Sequence, residues 1–300
     1  MADRGARAEC GHPFCQPKRG TVMVNRSIIG SVALAAALCM TIGSAQAFDE
    51  SKYPDLKGQW HRIGAPRWAS AREAPLTEEY RAIFEANLKD QAAGGQGTDP
   101  TFTCLAPGMP RVMNVYEPME IVVTPHTTHL LMQHIHDSRR IFTDGRDWPR
   151  DVGQDVEPTF AGYSIGRWVD EDGNGRYDTL MVETRNLKGP RSYDSTGLPL
   201  HRDNQTVIKE RIYLDKADAN TLYDEITVID HALTRPWTIT KKYLRNVEKY
   251  PVWRETVCAE NNHHVVIGTE NYFLSAEGYL MPAKKDQPPP DLRYFNKAQK

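Results

Sequence analysis

The sequence predicts a mainly β protein whose strands form an antiparallel up-and-down barrel, with one N-terminal helix and long loops. About nine or ten short segments place branched and aromatic residues between turn formers, a pattern typical of β-strands. These segments follow one another as hairpins, and no alternation of strands and helices is present. Because closure is the simplest way to remove the open edges of such a meander, a barrel is the expected architecture.

The central meander, residues 120–149, is expected to contain strands at 120–124, 128–136 and 139–143. Side chains alternate between the two faces of a strand, so every second residue of the middle strand shares one face. That face carries Leu130, Met132, His134 and His136. It therefore sets two imidazoles at one end of an apolar stripe.

The densest group of ionisable side chains follows this stripe directly, at Arg139, Arg140, Asp144 and Arg146. Two adjacent strand residues cannot both point inward. We expect Arg140 to be the inward one, where its guanidinium would hold an oxyanion of a ligand. A solvated turn is the alternative interpretation of the whole run.

Later segments continue the same organisation. Hairpins are expected from 160–169 with 179–184, from 205–214 with 221–230, and from 237–244 with 252–257. One helix is expected over 76–93, where Thr77 can cap the N-terminus and Tyr80, Phe84 and Leu88 form an i, i+4 stripe. The tail from residue 267 to 295 is expected to lie over the surface.

The N-terminal region predicts export. Residues 23–47 contain a basic residue, Arg26, a mostly apolar run and the small-x-small sequence Ala45-Gln46-Ala47, which together are typical of a signal peptide cleaved after Ala47. Residues 1–22 form an upstream leader, with Met23 as an alternative start. Residues 48–300 are expected to form a single β-barrel domain, periplasmic or secreted, with no membrane span.

The net charge and the cysteine content narrow the class of protein further. The formal net charge is −2, and no basic stripe indicates a nucleic-acid partner. The mature chain keeps two cysteines, Cys104 and Cys258. In an oxidising compartment a single pair favours a disulfide bond, with two buried free thiols as the alternative.

Five motifs give the chain a family resemblance. They are Cys104–Arg111, Arg139–Pro149, Gly162–Trp168, Leu233–Thr238 and Cys258–Asn262. With them, the chain resembles a group of exported bacterial proteins that have a lipocalin-like barrel. The resemblance implies this fold, export and pairing of the two motif cysteines, and it attaches no reaction to any residue.

Candidate site residues come from the ionisable groups near the expected barrel mouth. His134 and His136 have the spacing of metal ligands on one strand face, although an acid–base or structural role is the favoured interpretation. The candidate catalytic residues are His134, His136, Arg140, Asp144, Tyr163, Glu183 and His201. The candidate substrate-binding residues are Arg146, Trp148 and Arg191.

A second motif has the spacing of a calcium loop, with oxygen ligands at Asp170, Asp172, Asn174 and Asp178. Met181 stands where the loop should end in an acidic residue, and strands are expected on both sides. An ordinary hairpin turn is therefore the alternative. Any calcium bound here would be structural.

These observations predict an exported enzyme that acts on a small, partly apolar organic molecule by His and carboxylate acid–base chemistry. The reaction would be of the lyase, isomerase or hydrolase type and would need no organic cofactor. A non-catalytic carrier of a hydrophobic small molecule is the alternative, and a structural envelope protein is the third. A cavity with converging His, Arg and carboxylate groups would favour the enzyme.

Overall fold

The computed structural model describes residues 48–65, 67–69, 73–134, 138–150, 155–255, 257–258, 264–268, 270–275 and 277–291. Nine strands form a closed barrel in the order in which they occur along the chain. The barrel strands are β1 (Gln59–Ile63), β2 (Met119–Val123), β3 (Thr127–Met132), β4 (Ser138–Phe142), β5 (Tyr163–Val169), β6 (Thr179–Arg185), β7 (Val207–Leu214), β8 (Thr221–Ile229) and β9 (Trp237–Arg245). The predictions of a mainly β fold and a closed barrel are confirmed.

The pairing between strands is antiparallel with one exception. β1 closes the barrel by pairing with β9, for example Trp60 with Arg245. β4 and β5 are parallel, with Ile141 beside Ser164. The expectation of a wholly antiparallel barrel is therefore wrong at this pair. The connection, residues 143–162, is long enough for the crossover that a parallel pair requires.

Alternate side chains fill the barrel interior. Leu130 and Met132 of β3 are buried, as the period-two pattern predicts, and Ile226 of β8 and Trp60 of β1 are fully buried with them. The Trp60 indole donates a hydrogen bond of 2.9 Å to the Leu56 carbonyl oxygen. Burial of these large apolar groups is the main favourable contribution to the stability of the barrel.

The C-terminal region differs from the prediction. Residues 252–255 and 257, expected to form a strand, are not in one, because β1 already occupies the free edge of β9. The tail instead forms a three-stranded sheet of β10 (His264–Ile267), β11 (Glu270–Leu274) and β12 (Leu280–Pro282). A disulfide bond joins Cys104 to Cys258, whose Cα atoms lie 5.5 Å apart.

The predicted helix, α1, spans Glu78–Ala92. Thr77 caps its N-terminus, because the Thr77 hydroxyl oxygen accepts a hydrogen bond from the Tyr80 N–H. Its buried face includes Asn87. The Asn87 side chain accepts a 2.6 Å hydrogen bond from the Thr98 N–H and donates to the Thr196 carbonyl oxygen. The helix is thereby attached to the β6–β7 loop, residues 186–206.

Gly197 makes this close approach feasible. Its φ is +74°, in the left-handed region, and a Cβ atom there would lie 2.7 Å from the Asn87 side chain. Glycine is the residue that meets both conditions without strain.

No helix within the described residues is long and apolar enough to cross a membrane.

Candidate active site

Several predicted site residues lie together on the outer surface of the barrel. Arg146 forms an ion pair with Asp144 at 2.6 Å and donates to the Tyr163 hydroxyl at 3.2 Å. The rings of Trp148 and Tyr163 lie 6.0 Å apart. The Arg146 hydrogen bonds lower the pKa of Asp144 to about 2.

Glu183 belongs to the same outer surface. It accepts a 2.6 Å hydrogen bond from Arg185, and the Arg185 guanidinium lies 4.4 Å from the centre of the Trp148 ring. The charges of this patch are therefore paired with one another. Because these charged side chains are paired on the outer surface, they are not available to bind a ligand inside the barrel.

The prediction that Arg140 points inward is wrong. Arg140 is exposed, whereas Arg139 is 1% exposed. The reason is the register of β4, which places Arg139 opposite the inward-facing Leu130. The Arg139 guanidinium donates to both carboxylate oxygens of Glu210, at 2.6 Å for Nη1, and to the Thr184 hydroxyl at 2.8 Å.

Glu210 was missed as a partner of Arg139, although a signal for it exists. It lies between Ile208 and Ile212 on the same face of β7, and this alternation assigns it to the interior. The Arg139–Glu210 pair is shut off from solvent and has the character of a structural ion pair.

His134 lies just beyond the end of β3, next to the carboxylate of Glu117. The distance between His134 Nδ1 and Glu117 Oε1 is 2.9 Å. Partial burial opposes ionisation of Glu117, but the His134 contact, together with hydrogen bonds from its own backbone N–H and from Tyr116, outweighs burial and lowers the pKa of this carboxyl. His136 lies outside the described residues.

Two carboxylates of the predicted calcium loop are engaged within the loop itself, and the third, that of Asp172, forms an ion pair with Lys216. Asp170 accepts hydrogen bonds from the backbone N–H groups of Asn174 and Gly175, and Asp178 accepts them from those of Glu171 and Asp172. These are the contacts of a hairpin turn. A calcium ion in this loop stays a prediction.

Two other predicted residues, Arg191 and His201, line one cavity of about 540 Å³ at the barrel end where α1 meets the β6–β7 loop. We call it the loop pocket. The residues that line it are Tyr80, Ile83, Thr98, Gly189, Pro190, Arg191, Pro199, Leu200, His201, Arg202 and Asn204. Most of its wall is apolar, and its cationic and imidazole groups come from one loop.

Arg191 is a cation in the wall of the loop pocket that forms no ion pair with the described residues. It is 7% exposed, and its Nη2 donates a 2.9 Å hydrogen bond to the Thr206 hydroxyl. Its Nε and Nη1 atoms are buried and have no hydrogen-bond partner among the described residues. Burial lowers the pKa of Arg191. The charges of Asp230 and Asp203 oppose this effect, but neither carboxylate forms an ion pair with Arg191. A buried charge with no direct partner is costly, so this wall favours an anionic ligand.

His201 has a partner in either protonation state. Its Nδ1 accepts a 3.2 Å hydrogen bond from the Asp203 N–H when neutral, and lies 2.9 Å from Asp203 Oδ1, which can accept its proton when charged. The Tyr80 ring lies 5.0 Å from the imidazole and fixes its position. This arrangement suits a group that gives and takes a proton.

Asp203 links His201 to a second imidazole, that of His231 in the β8–β9 loop, through its other carboxylate oxygen. Partial burial opposes the ionisation of Asp203. Hydrogen bonds from His231, the Gln205 N–H and His201 outweigh this effect and lower the pKa of Asp203 to about 2. The same contact raises the pKa of His231.

These three side chains also have the composition of a metal site. Their ligand atoms lie within 4.8 Å of one another, and no other such group occurs among the described residues. A divalent cation would compete with the hydrogen bonds that hold the group together. Sequence reasoning missed His231 because it is 28 residues from Asp203 and only the barrel topology brings the two loops together.

No protein-family model matches this sequence, and no curated protein shows significant sequence similarity to it.

Proposed function

We propose that this protein is an enzyme that acts on a small, partly apolar organic anion in the loop pocket, by acid–base chemistry of the lyase, isomerase or hydrolase type. The observation that carries the proposal is the presence of Arg191, unpaired among the described residues, in the same cavity as His201. Preformed cavities with apolar walls and a few polar groups are the usual sites of small-molecule binding.

The roles follow from the contacts. Arg191 holds the carboxylate of the substrate or an enolate oxygen that forms from it. His201 transfers the proton, and Asp203 stabilises the imidazolium that results. His231 shares the negative charge of Asp203 and so keeps the carboxylate in position. No organic cofactor is needed for these steps.

The proposal places the enzyme in the periplasm or outside the cell. The signal-peptide pattern of residues 23–47 and the Cys104–Cys258 bond support this location. A relation to lipocalin-like barrels is part of the same proposal. It is supported by the sequential strand order and by the buried Trp60 at the start of β1, and the parallel β4–β5 pair departs from it.

A non-catalytic carrier is the second candidate. The apolar walls of the loop pocket, made by Ile83, Pro190, Pro199 and Leu200, favour it. Both candidates require an anionic ligand at Arg191. They differ in whether His201 changes the ligand chemically.

Binding is tested with benzoate and its neutral isostere benzamide, by isothermal titration calorimetry. We expect benzoate to bind more tightly than benzamide and R191M to weaken benzoate binding at least tenfold. R202M is the matched control, because Arg202 lines the same cavity with its side chain 78% exposed. Equal affinity of the two compounds, or equal loss in both variants, would contradict the proposed role of Arg191.

Catalysis is tested with phenylpyruvate, a partly apolar carboxylate with acidic C–H bonds. Proton NMR in D₂O measures exchange of these hydrogens above the buffer rate. We expect the wild-type protein to accelerate exchange and H201Q to lose most of the acceleration while still binding benzoate. Binding without any acceleration would favour the carrier, and loss of activity in EDTA would indicate a metal at His201, Asp203 and His231.

A further inference from the structure

A second cavity, of about 640 Å³, lies where the chain leaves β1, and Lys241 is one of its lining residues. We call it the lysine pocket. Lys241 is on β9, is 6% exposed and shares the inward face of the strand with Tyr243. The next residue, Lys242, also lines the cavity but is on the opposite face of β9. The two lysines differ in environment while sharing the same cavity.

Two carbonyl groups fix the Lys241 amine in position. Nζ donates hydrogen bonds of 3.2 Å to the Arg67 oxygen and 3.0 Å to the Trp68 oxygen, and it lies 5.0 Å from the centre of the Trp68 indole. It forms no ion pair with a carboxylate of the described residues. An ammonium group carries three N–H donors, so these two acceptors satisfy it only partly.

The charged groups around Lys241 come from three elements. Asp224 faces it from β8, Asp194 from the β6–β7 loop and Arg62 from β1. Asp194 is itself bound to the Trp68 N–H at 2.6 Å. Burial, followed by the Arg62 charge, lowers the pKa of Lys241 to about 8 despite the two carboxyl groups.

We propose that Lys241 captures small, apolar aldehydes or ketones that enter the lysine pocket, by forming an imine with them. A fixed, largely desolvated amine beside a cavity is the arrangement that makes lysine a nucleophile toward carbonyl compounds. Ile63, Ala65 and Trp68 form an apolar part of a wall that also contains Arg67, Thr240 and Lys242. The apolar part can hold the hydrocarbon portion of a carbonyl compound.

The chemistry balances without a further reactant. The neutral Nζ adds to the carbonyl carbon and gives a carbinolamine. The former carbonyl oxygen then leaves as water, and a C=N bond joins the ligand to Lys241. No electrons are gained or lost overall, and water reverses the reaction. This site is independent of Arg191 and His201, so it stands or fails apart from the function proposed for the loop pocket.

The test uses the full, disulfide-bonded protein with benzaldehyde as the probe. Sodium cyanoborohydride reduces any imine to a stable benzylamine, and peptide mapping by mass spectrometry locates the label. With limiting benzaldehyde at pH 8, we expect at least tenfold more label on Lys241 than on Lys242. K242M should leave the labelling of Lys241 unchanged, and K241M should abolish the preferred site.

The pH dependence gives a second readout on the unmodified chain. The ratio of label on Lys241 to label on all other lysines should be highest below pH 8 and should fall as ordinary amines, with pKa near 10.4, deprotonate. The peptide map of the labelled wild-type protein tests the proposal even if K241M does not fold. Label spread evenly over the lysines, or absent from Lys241 while exposed lysines react, would overturn the proposal.

Discussion

Arg139 and Glu210 form an ion pair inside a barrel core that is otherwise mostly apolar. Asp224 lies nearby, fully buried, and neither of its carboxyl oxygens has a partner among the described residues. Burial and the neighbouring Glu210 raise the pKa of Asp224 well above its usual value. This shift favours the neutral form of Asp224, and Glu210 is the carboxylate that bonds directly to the guanidinium.

This pair yields the first prediction. R139M leaves the Glu210 carboxylate buried without a counter-charge, and we expect it to lower the free energy of unfolding by about 3–5 kcal/mol. Urea denaturation followed by circular dichroism measures the change. R140M, on the exposed side of β4, should stay within about 0.5 kcal/mol of the wild type. The double variant R139M/E210M should recover much of the loss, and an equal or greater loss would contradict a charge-based cause.

Lys241 yields a second prediction at the residue scale. Its pKa is about 8 in the folded protein, below the ordinary value of 10.5, so the unfolded chain binds more protons between these two values. The free energy of unfolding should therefore rise with pH from about 8 to 10.5, by at most about 3 kcal/mol from this group. Below pH 8 the full penalty for burying the ammonium applies.

Urea denaturation at several pH values measures this slope. Comparison with K241M isolates the contribution of Lys241, because the tyrosines and the other lysines are common to both proteins. The slope between pH 8 and 10.5 should be shallower in K241M. Identical slopes would mean that Lys241 titrates alike in the folded and unfolded states.

At the scale of elements, Asn87 connects helix α1 to the loop that lines the loop pocket. N87A removes the acceptor for the Thr98 N–H and the donor to the Thr196 carbonyl oxygen, and it leaves these partly buried groups unsatisfied. We expect a loss of about 2–3 kcal/mol in stability and weaker benzoate binding, because the β6–β7 loop loses its support. E85A, on the exposed face of the same helix, is the control. Unchanged benzoate affinity in a destabilised N87A protein would show that the loop holds its conformation without the helix.

Most of the elements could be predicted from local patterns. The alternation in β3 placed Leu130 and Met132 on one face, and both are buried, because a period of two is a local property of the chain. The strand at 252–257 was wrong because β1, about 190 residues earlier in the sequence, takes the edge that it would have used, and local pattern does not report such long-range competition. Likewise, the sequence did not show that Arg139, and not Arg140, faces the barrel interior. Which face of β4 is inward depends on its register with β3.

At the scale of the whole molecule, the loop pocket combines residues that sequence reasoning singled out with residues that it did not. Arg191 and His201 lie in the long β6–β7 loop, and both were candidate site residues from the sequence. His231 comes from another loop, and Tyr80 from the helix, so only the barrel topology brings them together. A site whose residues all lie in one segment can be predicted from the sequence. A site whose residues come from three segments can be recognised only once the fold is known.

The disulfide bond yields a prediction for the whole molecule. It spans 154 residues and ties the segment after β9 to the connection between α1 and β2. Replacing both cysteines with alanine should lower the free energy of unfolding by about 5 kcal/mol through the gain in unfolded-chain entropy. Thermal unfolding of the double variant, compared with the oxidised and reduced wild type, measures this effect. A double variant as stable as the oxidised protein would exclude a stabilising role for the bond.

The pairing of β1 with β9 also has a consequence for biosynthesis. Trp60 leaves the ribosome about 185 residues before Arg245, its neighbour across the closing seam, and at 5–20 residues per second that delay is about 10–40 seconds. For that interval the first strand lacks its neighbour at the seam, although β2 can pair with it earlier at Gln59 and Trp60, and its unpaired edge is open to unwanted association. A nascent chain of this design gains from a holding factor that shields its leading strand until the last one arrives.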